Sequence, residues 1–419
     1  RCFRTLRADA DAGMSPIAAS EIRDDIGGRT ASPFQAASGA KLAVRELRLS
    51  AFRSYAGLRL DVGPSCVVLT GSNGAGKTNL LEALSLLAPG RGLRRAKLEE
   101  MARRLPDQAA SDAAQAGWAV AARLDTAHGP LAIGTGLEPA STSRRAVRIG
   151  GVPASSQLAL GQHVAAVWLT PQLDRLFAES AGGRRRFLDR MVTGFDPDHA
   201  GRAAAYENAM RQRARLLSEG RADAAWLAAL EDTMARHGIA VAIARQEIVA
   251  RLDQASRLGV GPFPRGALAL KGEVDTWVAQ MAAVDAEEKL RAALAASRRS
   301  DGESGGAAIG PHRSDLQVVH LDRGRPAAEC STGEQKALLV AMVLAHARLA
   351  SIARGAPPLL LLDEIAAHLD RTRLKALFDE LVALGAQAWM SGTDAETFAP
   401  LRERAQFFRV DDGAIAADL

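Results

Sequence analysis

The chain has 419 residues, of which 47% are hydrophobic, only 4% aromatic and 24% charged. That is enough for two lobes with separate cores, built mainly from Ala, Leu and Val. The net charge of +5, from 53 basic against 48 acidic residues, is by itself modest support for a polyanionic partner. Cys2, Cys66 and Cys330 are too scattered for a metal site and give no sign of an oxidising compartment. No segment is expected to reach the length of a membrane-spanning helix, so no membrane partner and a cytoplasmic location are expected.

In chain order, residues 1–40 are rich in Ala, Ser, Gly and charges, lack the apolar core of a secretory signal and read as a disordered extension. An over-extended reading frame with its start at or after Met14 and a short flexible tail are both compatible with the opening Arg1. Next comes Ala51-Phe52-Arg53-Ser54-Tyr55, and then a short apolar strand over Cys66–Thr70. That strand runs into Gly71, Ser72, Asn73, Gly74, Ala75, Gly76, Lys77 and Thr78, a complete G-x-x-x-x-G-K-T phosphate loop. In such a loop the glycines let successive backbone N–H groups turn inward around the phosphates of a nucleoside triphosphate. Lys77 is expected to reach the terminal phosphates and Thr78 to hold Mg²⁺, while a helix beginning near Asn79 aims its positive end at the same anion. The strand before and the apolar helical pattern Leu80–Leu84 after set the motif apart from a Gly-rich turn with a chance lysine.

Arg91, Arg94, Arg95 and Lys97 form a basic cluster after the loop helix. Strand-like pieces follow at Trp118–Leu124 and Ala146–Ile149. From Arg184 to Ala296 the pattern is helical, with apolar runs at Ala224–Leu230 and Ile239–Ala244 and a break at Gly259–Pro264. These helices read as too short and too broken for long heptad arms, so a compact helical lobe is expected. Arg184, Arg185 and Arg186 begin a stretch in which arginines outnumber acids. Such clusters are either solvated faces with local ion pairs or phosphate contacts. With few aromatics nearby, contact with a nucleic-acid backbone fits better than base stacking.

Far downstream, Ser331-Thr332-Gly333-Glu334-Gln335-Lys336 precedes a helical run from Ala337 to Ala345. Read alone it is a capped helix N-terminus, with Glu334 placed for a capping box. Pro357–Glu364 then reads as a buried strand ending in two carboxylates. Paired with the phosphate loop, this is a Walker B element: Asp363 binds Mg²⁺ through water and Glu364 polarises the attacking water. A last strand end reads Ala388–Asp394 without a histidine; resemblance to ABC-type ATPases, many of which carry a switch histidine there, implies Thr393 as the candidate γ-phosphate sensor.

The Ser331–Lys336 segment, about two dozen residues before the Walker B strand, resembles the signature motif of ABC-type ATPases, whose usual form is S-G-G-Q. The phosphate loop, Ala51–Ala56, Leu169–Phe177, Gly183–Asp189 and Gly310-Pro311-His312-Arg313-Ser314-Asp315-Leu316 together resemble the RecF family of bacterial DNA repair and replication proteins, within the SMC-like ABC ATPases. The resemblance covers nearly everything from Lys41 to Leu419. It implies an α/β fold in which an ABC-type P-loop ATPase lobe, residues 41–180 and 301–419, carries an inserted, mainly helical lobe at 181–300. It also implies an ATP-dependent homodimer in which Ser331 and Gly333 serve nucleotide bound by the second subunit and Asp370 touches that subunit. Gln172 would couple nucleotide to the inserted lobe, Arg53 would lie close to the nucleotide, and His312 would brace the return to the signature helix. The implied function is a weak, DNA-stimulated ATPase that clamps duplex DNA near single-strand gaps and supports recombinase loading and the SOS response. Its implied partners are recombination mediator proteins, and Arg184, Arg185, Arg186, Arg91, Arg94 and Arg95 are the candidate DNA contacts. The competing reading is an ABC-type ATPase that drives a protein partner or transporter without binding DNA.

Overall fold

The computed structural model describes residues 41–104, 117–139, 144–220 and 223–418. The extension expected over residues 1–40, with Met14 and Cys2, lies outside the described residues. The chain divides into two compact units: one holds the described residues up to Leu173 and again from Ala347, and the other is Asp174–His346. The division therefore runs past residue 300, the end expected for the second lobe, and leaves residues 301–346 with that unit.

The first unit opens with β1 (Ala43–Phe52) and β2 (Tyr55–Asp61), an antiparallel pair. It continues through β3 (Cys66–Thr70) and α1 (Lys77–Ser85). Strands β4 (Trp118–Thr126), β5 (Gly129–Leu137), β6 (Ala146–Ile149) and β7 (Val152–Pro153) extend the first hairpin into a sheet of order β2-β1-β4-β5-β6-β7, antiparallel throughout. β8 (Ala166–Leu169) belongs to a second sheet.

The second unit holds α2 (Ala181–Thr193), α3 (His199–Glu219) and α4 (Ala224–Leu258). They are followed by β9 (Gly266–Lys271), α5 (Glu273–Gln280), α6 (Ala283–Ala296), α7 (Arg298–Ser304), β10 (Asp315–His320) and β11 (Arg325–Pro326). Two sequence expectations are corrected here. The separate helical runs around Ala224 and Ile239 are one helix of 35 residues. It stays in the compact lobe because Gly238, at its middle, lets the Tyr206 ring approach so closely that a Cβ there would sit 3.0 Å from it. The helical stretch expected to Ala296 is also interrupted by β9, whose register runs antiparallel to β10 from Lys271↔Asp315 to Gly266↔His320. A buried ion network fastens the helices: Arg213 reaches Glu231 at 2.9 Å and Asp301 at 2.7 Å, and all three side chains are about 1% exposed. Arg298 satisfies the other Glu231 oxygen at 2.6 Å, as a buried charge requires.

α8 (Thr332–Arg354) returns the chain to the first unit. Its most apolar window has mean hydropathy 1.6, so a helix long and apolar enough to cross a membrane exists after all. Since 72% of that window is buried inside the protein, its Ala, Leu and Val are core contacts. β12 (Leu359–Leu362), α9 (Arg371–Leu384), β13 (Ala388–Gly392), β14 (Ala405–Asp411) and β15 (Ala414–Ala417) complete the second sheet, of order β15-β14-β3-β13-β12-β8. Every residue of β3, β12 and β13 is buried, as expected for strands covered on both faces. These strands run parallel, with Thr70 level with Gly392 and Leu362 level with both Met390 and Leu169. The segments that follow β3, β12, β13 and β8 therefore leave the sheet at one edge, the carboxyl edge where α/β sheets bind ligands.

Candidate nucleotide site

The phosphate loop leaves β3 at that carboxyl edge. Gly71 has φ +143°, and a Cβ there would lie 2.2 Å from the Val410 carbonyl, so only glycine fits. Gly76, at φ +114°, caps α1 while the Tyr55 hydroxyl donates to its carbonyl at 3.1 Å. Ala75 is buried, whereas Ser72, Asn73 and Gly74 are exposed at the tip. Burial holds the Tyr55 phenol well above its ordinary pKa, so it stays a neutral donor. Lys77 opens α1 and is only 5% exposed; its Nζ donates to the Gly71 and Ser72 carbonyls at 2.7 and 2.9 Å. The same Nζ lies 3.8 Å from Glu364 Oε1, so the loop lysine and the Walker B glutamate share one pocket of charge.

Asp363 follows β12 with its backbone N–H on the Leu169 carbonyl at 2.8 Å. Its carboxylate accepts from Thr78 Oγ1 at 3.0 and 3.1 Å, which ties the two expected Mg²⁺ residues together across 285 residues of chain. A third member was not read from the sequence. Ser391, fully buried at the end of β13, donates from Oγ to Asp363 Oδ1 at 2.7 Å and accepts the Glu364 N–H at 2.9 Å. Glu364 needs this bond, because its backbone sits at φ +48°, a conformation unusual for a residue with a Cβ. The loss of a histidine at this strand end was the available signal, but it pointed to Thr393, which is exposed, and not to the serine two residues earlier.

Arg53 has a structural partner. Its guanidinium grips the fully buried Glu82 carboxylate of α1 through two bonds of 2.8 and 2.7 Å, and a third reaches the Glu100 carbonyl at 2.7 Å. Arg94 joins them, donating to Glu82 Oε2 at 3.0 Å and to Asn79 Oδ1 at 2.7 Å. The geometry thus commits Arg94 to the back of the loop helix. Arg91, Arg94 and Arg95 are all exposed, Arg94 while holding these bonds. Gln172 is exposed just beyond β8, the neighbour of the Walker B strand. Asp370 caps α9, accepting the Arg373 N–H at 2.8 Å.

The signature residues lie in the second unit and form the capping box expected from their spacing. The Ser331 N–H and Oγ both donate to Glu334 Oε2 at 3.0 Å, and the Glu334 N–H returns to Ser331 Oγ at 3.4 Å. These bonds, with Arg323 behind them, pull the Glu334 carboxyl down to about 2. Ser331 is exposed and Gly333 half-buried.

The arginine trio separates. Arg184 binds Asp315 through both oxygens at 2.7 and 2.9 Å and donates to the Phe177 and Glu179 carbonyls, so its guanidinium is a brace. Arg185 donates to the Ser314 carbonyl at 2.6 Å, and burial lowers its pKa. Arg186 alone of the three is exposed. His312 bridges Tyr206 (Nδ1 to the hydroxyl, 2.6 Å) and the Ala307 carbonyl (2.9 Å).

Residues 43–415 match the RecF/RecN/SMC N terminal domain family. The DNA replication and repair protein RecF of Mesorhizobium japonicum is 49% identical over 375 residues, covering 89% of this chain and 97% of that one. Its counterpart in Rhizobium etli strain CIAT 652 is 48% identical, covering 90% and 99%. Among solved structures, the recombination mediator protein RecF-ATPrS of the RecFOR pathway is similar with TM-score 0.78 at 20% identity, covering 91% of this chain and all of that one. The corresponding RecF-ATP structure gives 0.75 at 20% identity, covering 90% and 99%. That likeness shows a shared fold, and the sequence match goes further. The chain belongs to the RecF family, a branch of the SMC-like ABC-type ATPases.

Proposed function

We propose that this chain is an ATP-dependent DNA-binding protein of recombinational and replication-gap repair, cytoplasmic, and that it dimerises on ATP to clamp DNA near single-strand gaps. The observation that carries the ATP-dependent part is the joining of Thr78, Asp363 and Ser391, with Lys77 beside Glu364, at the carboxyl edge of the parallel strands β3, β13 and β12. Relatives of nearly equal length, 49 and 48% identical, are DNA replication and repair proteins, which supports the rest.

The Thr78 hydroxyl and the Asp363 carboxylate, already in contact, are hard oxygen donors that fit Mg²⁺. Once bound, that ion would neutralise charge on the β- and γ-phosphates. The loop N–H groups and the α1 N-terminus receive the phosphates, and Lys77 turns from the loop carbonyls to the terminal oxygens. Ser391 fixes Asp363 with one bond and aims the Glu364 backbone with another. Glu364 then takes a proton from the water that attacks the γ-phosphorus as ADP leaves. Ser331 and Gly333, at the N-terminus of α8, act on nucleotide held by a second copy of the chain, which makes ATP the glue of the dimer. Asp370 touches that copy, and Gln172 relays the state of the site to the helical lobe.

Phosphate contacts to duplex DNA come from the exposed members of the arginine clusters, Arg186 and Arg91 first, and are blind to sequence. Weak, DNA-stimulated hydrolysis resets the clamp, and recombination mediator proteins that load the recombinase and support the SOS response are its partners. The test is a titration of two unrelated duplexes with and without ATP. Binding that needs ATP and is equal for both sequences is expected. Robust ATPase activity without duplex binding would instead favour an ATPase that drives a protein partner.

A further inference from the structure

A cavity of about 680 Å³ lies wholly within the second unit and is lined by Arg185, Arg211 and Arg313 together with Ser180, Gly305 and Gly306. Among the described residues, no Asp or Glu lines it. Three guanidinium groups face one space with no carboxylate among them; Arg211 and Arg313 are exposed and Arg185 is half-buried, so together they concentrate positive potential in a concave, water-accessible space.

The partners of each arginine sharpen the point. Arg313 spends Nε and Nη2 on a single neutral acceptor, the Ala307 carbonyl, at 3.2 and 3.0 Å. Arg185 has one bond to the Ser314 carbonyl. Asp315 and Asp189 stand near it but are already gripped through both oxygens by Arg184 and Arg245. Desolvation, then the neighbouring Arg245 charge, lowers the Arg185 pKa, and the Asp315 and Asp189 carboxylates only partly oppose this. Arg211 has only a loose, exposed pair with Glu207 at 3.7 Å, which water screens. His312, held low in pKa by burial, adds a neutral ring to the wall. The glycines leave backbone open to the space: a Cβ at Gly305 or Gly306 would meet nothing within 4 Å. Ser180, the N-cap of α2, makes no side-chain cap bond, which leaves its hydroxyl available beside the first N–H groups of that helix.

We propose that this cavity is a phosphate-binding pocket, separate from the nucleotide loop, in which Arg185, Arg211 and Arg313 hold a phosphate or diphosphate group. Forked guanidinium donors, a hydroxyl and approachable glycine backbone match the tetrahedral, multiply accepting oxygens of phosphate. The phosphate is either a free or nucleotide-borne group or one in a nucleic-acid strand, and the pocket chemistry is the same for both. The proposal stands on this cavity alone and does not depend on the clamp described above.

Pyrophosphate is titrated calorimetrically into the full-length Lys77→Ala protein, in which the phosphate loop is disabled, and into the same protein carrying Arg211→Glu or Arg313→Gln. One site per chain is expected, weakened at least tenfold by Arg211→Glu, an exposed position whose change spares the fold, and similarly by Arg313→Gln. Competition by ADP alone identifies the free-phosphate source, and competition by a duplex identifies the strand source. No binding in the Lys77→Ala background, or binding untouched by both arginine changes, would overturn the pocket. So would tighter binding of an Asp/Glu-rich peptide than of pyrophosphate.

Discussion

Removing one buried hydroxyl should separate hydrolysis from nucleotide binding. In Ser391→Ala the Asp363 carboxylate loses a 2.7 Å donor and the Glu364 N–H loses its 2.9 Å acceptor. Ser391 is fully buried, so the orphaned groups pay desolvation with no easy substitute. A buried unsatisfied group costs about 1–3 kcal/mol, and the Glu364 backbone at φ +48° stores a further amount on the order of 1–3 kcal/mol that this bond helps to hold. If about 1–3 kcal/mol of that is lost in the transition state, kcat falls roughly five- to 150-fold. ATP affinity should change little, because the phosphates are held by Lys77 and the loop. Phosphate release at saturating ATP gives kcat, and a fluorescent nucleotide gives Kd. Ser391→Thr, which keeps the hydroxyl, should retain more activity than the alanine variant. An unchanged kcat, or a loss confined to affinity, would show that Ser391 does not position the Walker B carboxylates.

Three further outcomes are expected. Ser331→Arg should leave ATP binding by the single chain nearly intact while abolishing ATP-driven dimers, since bulk and charge would block the α8 N-terminus; equal dimerisation by mutant and wild type in sedimentation would sink the shared-site arrangement. Arg184→Ala should cost about 2–4 kcal/mol of stability by orphaning Asp315, whereas Arg186→Ala should leave stability unchanged and lower the salt slope of duplex binding by about 0.9 per contact. Urea midpoints and binding at several salt concentrations distinguish the two, and identical effects would undo the division of that cluster. His346, fully buried with Nε2 on the Met191 carbonyl, has its pKa lowered to about 4 by burial. Its neutral form is the folded one, so its stabilisation is complete above about pH 6.5 and is lost as pH falls from there through about 4. His346→Leu should flatten that part of the stability profile, and an unaltered slope would place the acid sensitivity elsewhere.

The nucleotide loop was legible because its chemistry is contiguous: Gly71 to Thr78 carry the turn, the charge and the helix start in eight consecutive residues. Asp363 and Glu364 were legible for the same reason, at the end of an unbroken apolar strand. Ser391 was not, since an ordinary serine gains its role only when β13 is laid between β3 and β12. Arg53 and Arg94 show the converse. Both carry charge that reads as ligand contact, yet their partner is Glu82, whose burial no local pattern reveals. Likewise the Arg184 bond to Asp315 spans 131 residues, and a run of three arginines cannot say which of them faces outward. The long α4 was read only as the apolar runs Ala224–Leu230 and Ile239–Ala244, because neither run shows by itself that one helix joins them; Gly238, between the two, is in three dimensions the notch that receives Tyr206.

The central claim is that ATP, held between the phosphate loop of one chain and the signature serine of another, assembles the dimer. Gel filtration with light scattering, with and without ATP and duplex DNA, tests it most directly on wild type, Glu364→Gln and Lys77→Ala. Glu364→Gln should accumulate as an ATP-dependent dimer because water activation fails while the phosphate contacts survive, and Lys77→Ala should remain monomeric under every condition. A Glu364→Gln protein as monomeric as Lys77→Ala in ATP, or a dimer indifferent to ATP in all three, would contradict the account.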